Sequence, residues 1–201
     1  IVASGENACI LHYNDNNKVM NEGDLLLLDF GVEYNYYATD CSRTLPVGGK
    51  FTEKQKKYYQ AVVDVYKKLE KMFFVGNCID NINLKAADLY NKMVVELNLA
   101  TKEEVFYGDP QNPVTKKFFM HGISHFIGID VHDVGSKYVP FENGMVLSCE
   151  PGLYISDENI GIRIENMILI NDDKPINLTS EIPFEIEEIE KLISKNQYLS
   201  H

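Results

Sequence analysis

Residues 120 to 133 read MHGISHFIGIDVHD and hold three of the five histidines in the chain, His121, His125 and His132. Imidazoles this dense can ligate a metal or move protons near neutral pH. On a helix, their offsets of four and eleven residues would bring all three to one face. Composition argues against that helix. Gly122, Gly128 and the alternation of Ile127, Ile129 and Val131 predict a loop running into a strand, with Gly128, Asp130 and His132 on one face. Histidines so placed need partners from elsewhere in the fold.

Carboxylates supply them in two places. Asp29 breaks the apolar run LLLLDF, and Asp40 follows on the return. With Tyr34 and Asn35 as a two-residue turn, the two acids lie directly opposite each other. In SCEPGLYI and IRIEN, a turn centred on Asp157 and Glu158 sets Glu150 opposite Glu165 in the same way. Like charges paired across strands are destabilising unless a cation or proton neutralises them. Apolar residues flank all four acids, so solvation does not explain them. Four acids with one or two histidines form an oxygen-rich ligand set suited to a pair of divalent ions such as Mn²⁺, with Co²⁺ or Zn²⁺ also accommodated. Two such ions bridged by carboxylates are the two-metal hydrolase arrangement, in which a water between them loses its proton near neutral pH. Side-chain alternation turns Cys41 and Cys149, each beside a proposed ligand, to the opposite face as packing residues.

The elements that must position these groups follow in an α+β order. A hairpin over residues 23–47 comes first. Next is a helix opened by a Thr52/Gln55 capping box and running toward Gly76, and then a second over Leu84 to Leu99. TKEEVFYGDPQNPVTKKF reads as a surface connection. Strands follow in FIGIDVHDVG, GMVLSCEPGLYI and IGIRIENMILI, and IPFEIEEIEKLISK closes as a helix. With 201 residues, 45% of them hydrophobic, and no internal linker, residues 1–201 are expected to form a single domain. Thirty acidic against nineteen basic side chains, a formal charge of −11, disfavour nucleic acid and anionic membrane as partners. The four scattered cysteines include no C-x-x-C pair, and nothing reads as a signal peptide or membrane span, so a reduced, cytoplasmic setting is expected.

Five stretches together resemble one family. ILHY, LLLLDFGVEYNYYATDCSRTLPVGGKFT, FFMHGISHFIGIDVHDVG, GMVLSCEPGLYI and IGIRIENMILI run, in order from about Ile10 to Ile170, like the catalytic domain of the pita-bread metallopeptidases. Among these the chain looks most like an Xaa-Pro aminopeptidase, with prolidase the close relative. The resemblance implies the pita-bread (creatinase/aminopeptidase-like) fold, a curved antiparallel sheet flanked by helices. It also implies hydrolysis of the first peptide bond of a substrate with proline second, and a homo-oligomeric parent protein. Asp29 would bind one metal, Asp40 and Glu165 would bridge, and His125 and Glu150 would complete the second site, with Glu150 also the proton acceptor. His12 and His132 match histidines that flank the substrate, and His121 matches another active-site histidine. Arg163 matches an arginine that steadies the metal-site carboxylates, and Tyr154 is expected near it. The family's catalytic domain begins earlier than Ile1, and its proline-directed members carry a further N-terminal domain, so a chain truncated at its N-terminus is expected.

Taken singly, several of these residues have plainer readings. His12 alone reads as a packed or surface histidine, Asp29 as a strand-end residue, and Glu150 before Pro151 as a solvated loop acid. His121 before a glycine reads equally as a loop-orienting group. Tyr34, Tyr36 and Tyr37 are expected to pack across strands, and His201 to be disordered. Against the aminopeptidase stand prolidase, cutting only Xaa-Pro dipeptides, and a non-catalytic interaction module on the same scaffold.

Overall fold

The computed structural model describes residues 1–197; His201 lies outside them. Two antiparallel hairpins carry the acids. The first is built from β2 (Leu25–Phe30) and β5 (Cys41–Pro46), with β1 (Val2–Ser4) on the far side of β2. Its tip is the short pair β3 (Glu33–Tyr34) and β4 (Tyr37–Ala38). The turn centres on Asn35 and Tyr36, both at positive φ (50° and 70°), the type I′ geometry that matches strand twist. The expected turn at Tyr34 and Asn35 is therefore one residue early. Asp29 pairs with Ser42, and Asp40 is its diagonal neighbour rather than its opposite. The slip moves each strand position by an even step, so both acids keep the same face.

The second hairpin is interrupted at its acids. Its outer part pairs β6 (Val146–Cys149) with β9 (Asn166–Leu169), and its inner part pairs β7 (Gly152–Ile155) with β8 (Ile160–Arg163). β10 (Ile176–Asn177), which was not anticipated, adds to the edge of β9. Cys149↔Asn166 and Gly152↔Arg163 share one register, and Ile164 N–H donates to Pro151 O across the gap (3.1 Å). Glu150 thus faces Glu165 as expected. The loop closes on Asn159 at φ 56°, an αL position that asparagine tolerates.

β5 crosses the break in the second hairpin and joins the two halves. Glu165 N–H donates to Ser42 O (3.1 Å), and Thr44 Oγ1 both accepts from Arg163 N–H (3.1 Å) and donates to Arg163 O (3.2 Å). On the other side, α1 (Glu53–Leu69) and α2 (Ile79–Glu96) bury the hairpin's back. Tyr59, Val62, Tyr66 and Leu69 from α1 and Ile82 and Tyr90 from α2 share one core with Leu147, Leu153, Ile162 and Ile168. Cys149 belongs to that core, and Cys41 is buried with its Sγ toward Glu165 O, so both thiols are packing groups as expected.

The Thr52/Gln55 capping box is present and starts α1. The α-helix ends at Leu69, with a 3₁₀ turn to Met72, and not at Gly76. α2 begins five residues before the expected Leu84, because Ile79 and Ile82 are needed by the core. The presumed surface connection contains α3 (Lys102–Tyr107), started by a second capping box, Thr101/Glu104. α4 (Ile186–Gln197) agrees with the expected closing helix. Among the described residues no helix is long and apolar enough to cross a membrane.

The expected strand FIGIDVHDVG is not one. Residues 123–127 run alongside β6, with Ser148 N–H on His125 O and Ile127 N–H on Val146 O. Beyond them the chain turns back on itself: Gly128 N–H donates to Asp130 O, Asp133 N–H to Phe126 O, and Ile129 N–H to Asp133 Oδ2. The Asp133 carboxylate offers the backbone a local partner that outcompetes a ladder. Ile129 and Val131 are consequently exposed.

Candidate metal centre

The acids of both hairpins and the histidine loop line one cavity of about 250 Å³. Asp29, Asp40, His125, Glu150 and Glu165 all contribute to it, as do His12, His121, His132 and Arg163. Carboxylate oxygens of Asp29, Asp40 and Glu165 lie within 4.8 Å of one another, and so do ligand atoms of His125, Glu150 and Glu165. That spacing is about twice a metal–ligand bond, the separation expected of donors sharing one ion. A third group, Asp40, His125 and His132, meets the same limit, so distance alone also admits His132 as a ligand.

His125 is oriented as a ligand should be. Its Nδ1 lies 3.1 Å from Phe126 O, and a carbonyl can only accept, so Nδ1 carries the proton. Nε2 then faces the acids, 3.6 Å from Asp40 Oδ2, 3.6 Å from Glu150 Oε1 and 3.9 Å from Glu165 Oε1. A backbone carbonyl behind the ring is the usual outer partner of a metal-binding histidine. Burial pulls the His125 pKa down, but the Asp40 hydrogen bond, Glu150 and the Phe126 carbonyl more than offset it and raise it.

One chain of hydrogen bonds ties the carboxylates together. Arg163, 4% exposed, donates from Nη2 to Asp29 Oδ2 (2.6 Å), from Nε to Ser42 Oγ (2.8 Å) and from Nη1 to Tyr154 OH (3.1 Å). The Ser42 hydroxyl in turn donates to Glu165 Oε2 (2.6 Å). Arg43 holds the chain beside Glu165, donating from Nη1 to Glu165 O (2.6 Å) and from Nη2 to the Asn166 side chain at Oδ1 (2.7 Å). Ser148 accepts from His125 N–H (2.9 Å) and donates to Glu150 Oε1 (3.4 Å). Ser42, Arg43 and Ser148 were not singled out from the sequence. The signal for the two serines was there: each sits two residues from a proposed ligand, Asp40 or Glu150, and so shares its face.

His121 is fully engaged by its surroundings. Nδ1–H donates to Gly122 O (2.8 Å), and Nε2 accepts from Tyr154 OH (2.8 Å). Burial lowers its pKa to about 4, so the 3.7 Å approach of Nδ1 to Glu150 Oε2 is not an ion pair. Its ring packs on Phe119, which stacks on Tyr90. His132 lies on the exposed loop with its ring centroid 4.1 Å from that of His125, and His12 is exposed at the cavity mouth.

Electrostatics test whether this donor set fits cations. Burial raises the Glu150 carboxyl to about 7, against the pull of His125 and Arg163. Glu165, 2% exposed, is raised well above its usual range by burial and then by Glu150 and Asp40. Asp29 is raised as well, by burial more than Arg163 lowers it. Glu165 Oε1 is buried with no hydrogen-bond donor among the described residues. Acids crowded this way hold either protons or metal ions, and an orphaned carboxylate oxygen 3.9 Å from His125 Nε2 favours metal. The residues fit a pair of divalent cations.

The chain is similar to known proteins over nearly its whole length. Residues 1–172 match the model of metallopeptidase family M24. The Xaa-Pro aminopeptidase of Escherichia coli K12 is 41% identical over 205 residues, covering 96% of this chain and 46% of that protein. That of Haemophilus influenzae is 38% identical, covering 96% and 47%. A histidine-to-alanine variant of E. coli aminopeptidase P superposes with a TM-score of 0.90 at 39% identity, over 98% of this chain and 47% of that one. The zinc-substituted E. coli enzyme in complex with product superposes at 0.89 with 40% identity, over 97% and 47%. The chain spans about half the length of the curated relatives it matches. It adopts the pita-bread fold of those structures and belongs to metallopeptidase family M24.

Proposed function

We propose that this chain carries the active site of an Xaa-Pro aminopeptidase, a hydrolase that removes the residue preceding a proline at the start of a peptide. The observation that carries the reading is the convergence of Asp29, Asp40, His125, Glu150 and Glu165 on one cavity, with Glu165 Oε1 unpartnered. We take Asp29, Asp40 and Glu165 to hold one divalent ion and Asp40, His125, Glu150 and Glu165 the other, with Mn²⁺ favoured by the oxygen-rich set. Bound there, the ions would polarise the scissile carbonyl and lower the pKa of the attacking water.

The chain's own residues do the rest. Glu150, a carboxylate lining the cavity beside His125, is suited to accept the proton of the water and to return it to the departing prolyl nitrogen. His12 and His132 line the cavity and would donate to the peptide on either side of the cut. His132 would supply an N–H to the developing oxyanion. Arg163 and Tyr154 position Asp29 and His121. With both nitrogens engaged, His121 offers its ring as a wall rather than a proton. That suits the substrate: a peptide bond to proline has no N–H to recognise, so selection must come from pocket shape, here the rigid aromatic stack behind His121.

The four free cysteines favour a reducing cytoplasmic setting. A single catalytic domain in a homo-oligomeric parent protein completes the reading. Its test is metal analysis of the purified chain, followed by assay of an Xaa-Pro-Yaa tripeptide against an Xaa-Pro dipeptide with added Mn²⁺. Cleavage of the tripeptide is expected. Cleavage of the dipeptide alone would make it a prolidase, and no metal bound at saturating Mn²⁺ would leave only the non-catalytic module.

A further inference from the structure

The central cavity opens into a second one. A groove of about 620 Å³ runs from it between the β3–β4 hairpin and the loop at 129–132. It shares His12, Asp29, Asp40 and His132 with the central cavity. Phe30, Val32, Ile129 and Val131 are exposed along its walls. Apolar side chains gathered in a concave surface mark a binding groove rather than a solvated face. The two walls are tied together, since Ala38 N–H donates to Gly128 O (2.8 Å). One wall also offers free donors: among the described residues, the backbone N–H groups of Asp130, Val131 and His132 bond to nothing. Glu33 and Asp130 line the groove, and no lysine or arginine does.

We propose that this groove receives the part of the peptide downstream of the cut, and selects apolar and basic side chains there over acidic ones. The inference rests on the aminopeptidase reading. A substrate cut after its first residue extends by one residue on the amino side, so any longer peptide leaves the central cavity on the carboxyl side. The groove shares its lining with that cavity and so offers such a peptide a path. Its free N–H groups can pair with the carbonyls of an extended peptide, its apolar walls take alternate side chains, and its carboxylates set the charge preference.

The test is calorimetric binding of Pro-Leu-Lys-Lys and Pro-Leu-Glu-Glu to the full chain with Mn²⁺ present. The lysine peptide is expected to bind roughly five- to tenfold tighter at low salt, with the gap closing in about 0.5 M salt. Glu33→Gln with Asp130→Asn should abolish the gap, and Val32→Ser with Ile129→Ser should weaken both peptides severalfold. All four positions are exposed, so folding is not at stake. Equal binding of the two peptides, or wild-type binding by the variants, would overturn the proposal. So would affinity that rises on dilution as a self-associated species dissociates, since a second copy would then be the occupant. Failure to cleave any Xaa-Pro peptide would defeat the aminopeptidase reading separately, because binding is read without turnover.

Discussion

The two hairpins bring the same cargo, a pair of acids, to the same place by different means. In the second, Glu150 and Glu165 sit where the ladder is broken, walled by β5 on one side and by α1 and α2 on the other; Glu165 is 2% exposed and Arg163 4%. In the first, Asp29 and Asp40 lie near the end of a hairpin whose tip is open, with Tyr34, Tyr36 and Tyr37 each at least 67% exposed. Burial makes the second hairpin the electrostatically strained half. Exposure leaves the tip of the first free to change. Metal binding should therefore answer chiefly to the second hairpin, and tolerance of change to the first.

The largest effect expected is at Glu165. Glu165→Gln keeps the shape and the Ser42 contact but removes the carboxylate shared by both proposed ligand groups. Turnover should fall by about 10³-fold or more. The stabilisation by Mn²⁺ in thermal melts should vanish, since only a bound ligand raises Tm by mass action. The metal-free variant should melt higher than the metal-free parent at pH 8, because the buried charge is gone. A variant that melts lower and still gains from Mn²⁺ would reverse the roles assigned to the two hairpins.

A smaller effect is expected at the joint between the hairpins. Ser42→Ala breaks the link from Arg163 to Glu165 while leaving every ligand in place. Loss of such an outer partner typically costs 10- to 100-fold in metal affinity. Ser42→Thr should restore most of it by keeping the hydroxyl. Calorimetric Mn²⁺ titration of the two variants distinguishes lost orientation from lost packing.

The same contrast governs what could be read from the chain alone. Glu150 opposite Glu165 was legible because a single register runs through both halves of the second hairpin. Asp29 opposite Asp40 was misread by one turn position, because Asn35 supports a left-handed turn equally well as its first or second residue. The error left the site intact, since the shift was even and both acids kept their face. The histidine loop was harder: Ile127, Ile129 and Val131 alternate as a strand does, and only Asp133, capturing Ile129 N–H, turns the chain away. His125 still reached the acids, because residues 123–127 do run beside β6. Ser42 and Arg43 stayed hidden because their role depends on β5 crossing the second hairpin, a contact between residues more than a hundred positions apart.

A pH effect should follow the buried acids. Folded Glu150 has a pKa near 7 against an ordinary value of 4.5, and Glu165 and Asp29 are raised too. Between those values the folded state holds protons that the unfolded state has released, so stability falls as pH rises. Metal-free protein should thus gain several degrees in Tm from pH 8 to pH 6.5. Below that the gain should level off, because His121, held neutral with a pKa of about 4, must charge on unfolding. Saturating Mn²⁺ takes the place of the protons and should flatten the upper part of the profile. A metal-free Tm that rises with pH over this window would mean the acids are not crowded as described.

The smallest effect tests the open hairpin. Tyr36 has φ 70°, where a side chain bearing Cβ is disfavoured by roughly 1–2 kcal/mol, and the residue is 78% exposed. Glycine there relieves the strain, offset in part by the entropy that glycine loses on folding. Tyr36→Gly should stabilise the chain by up to about 1 kcal/mol, roughly 2–4 °C in Tm at this size. Mn²⁺ affinity should stay unchanged, because Asp29 and Asp40 are held by β5 and Arg163 rather than by the tip. If Mn²⁺ binding weakened while stability rose, the turn would be holding the acids in register, and the two hairpins would be less different than their burial implies.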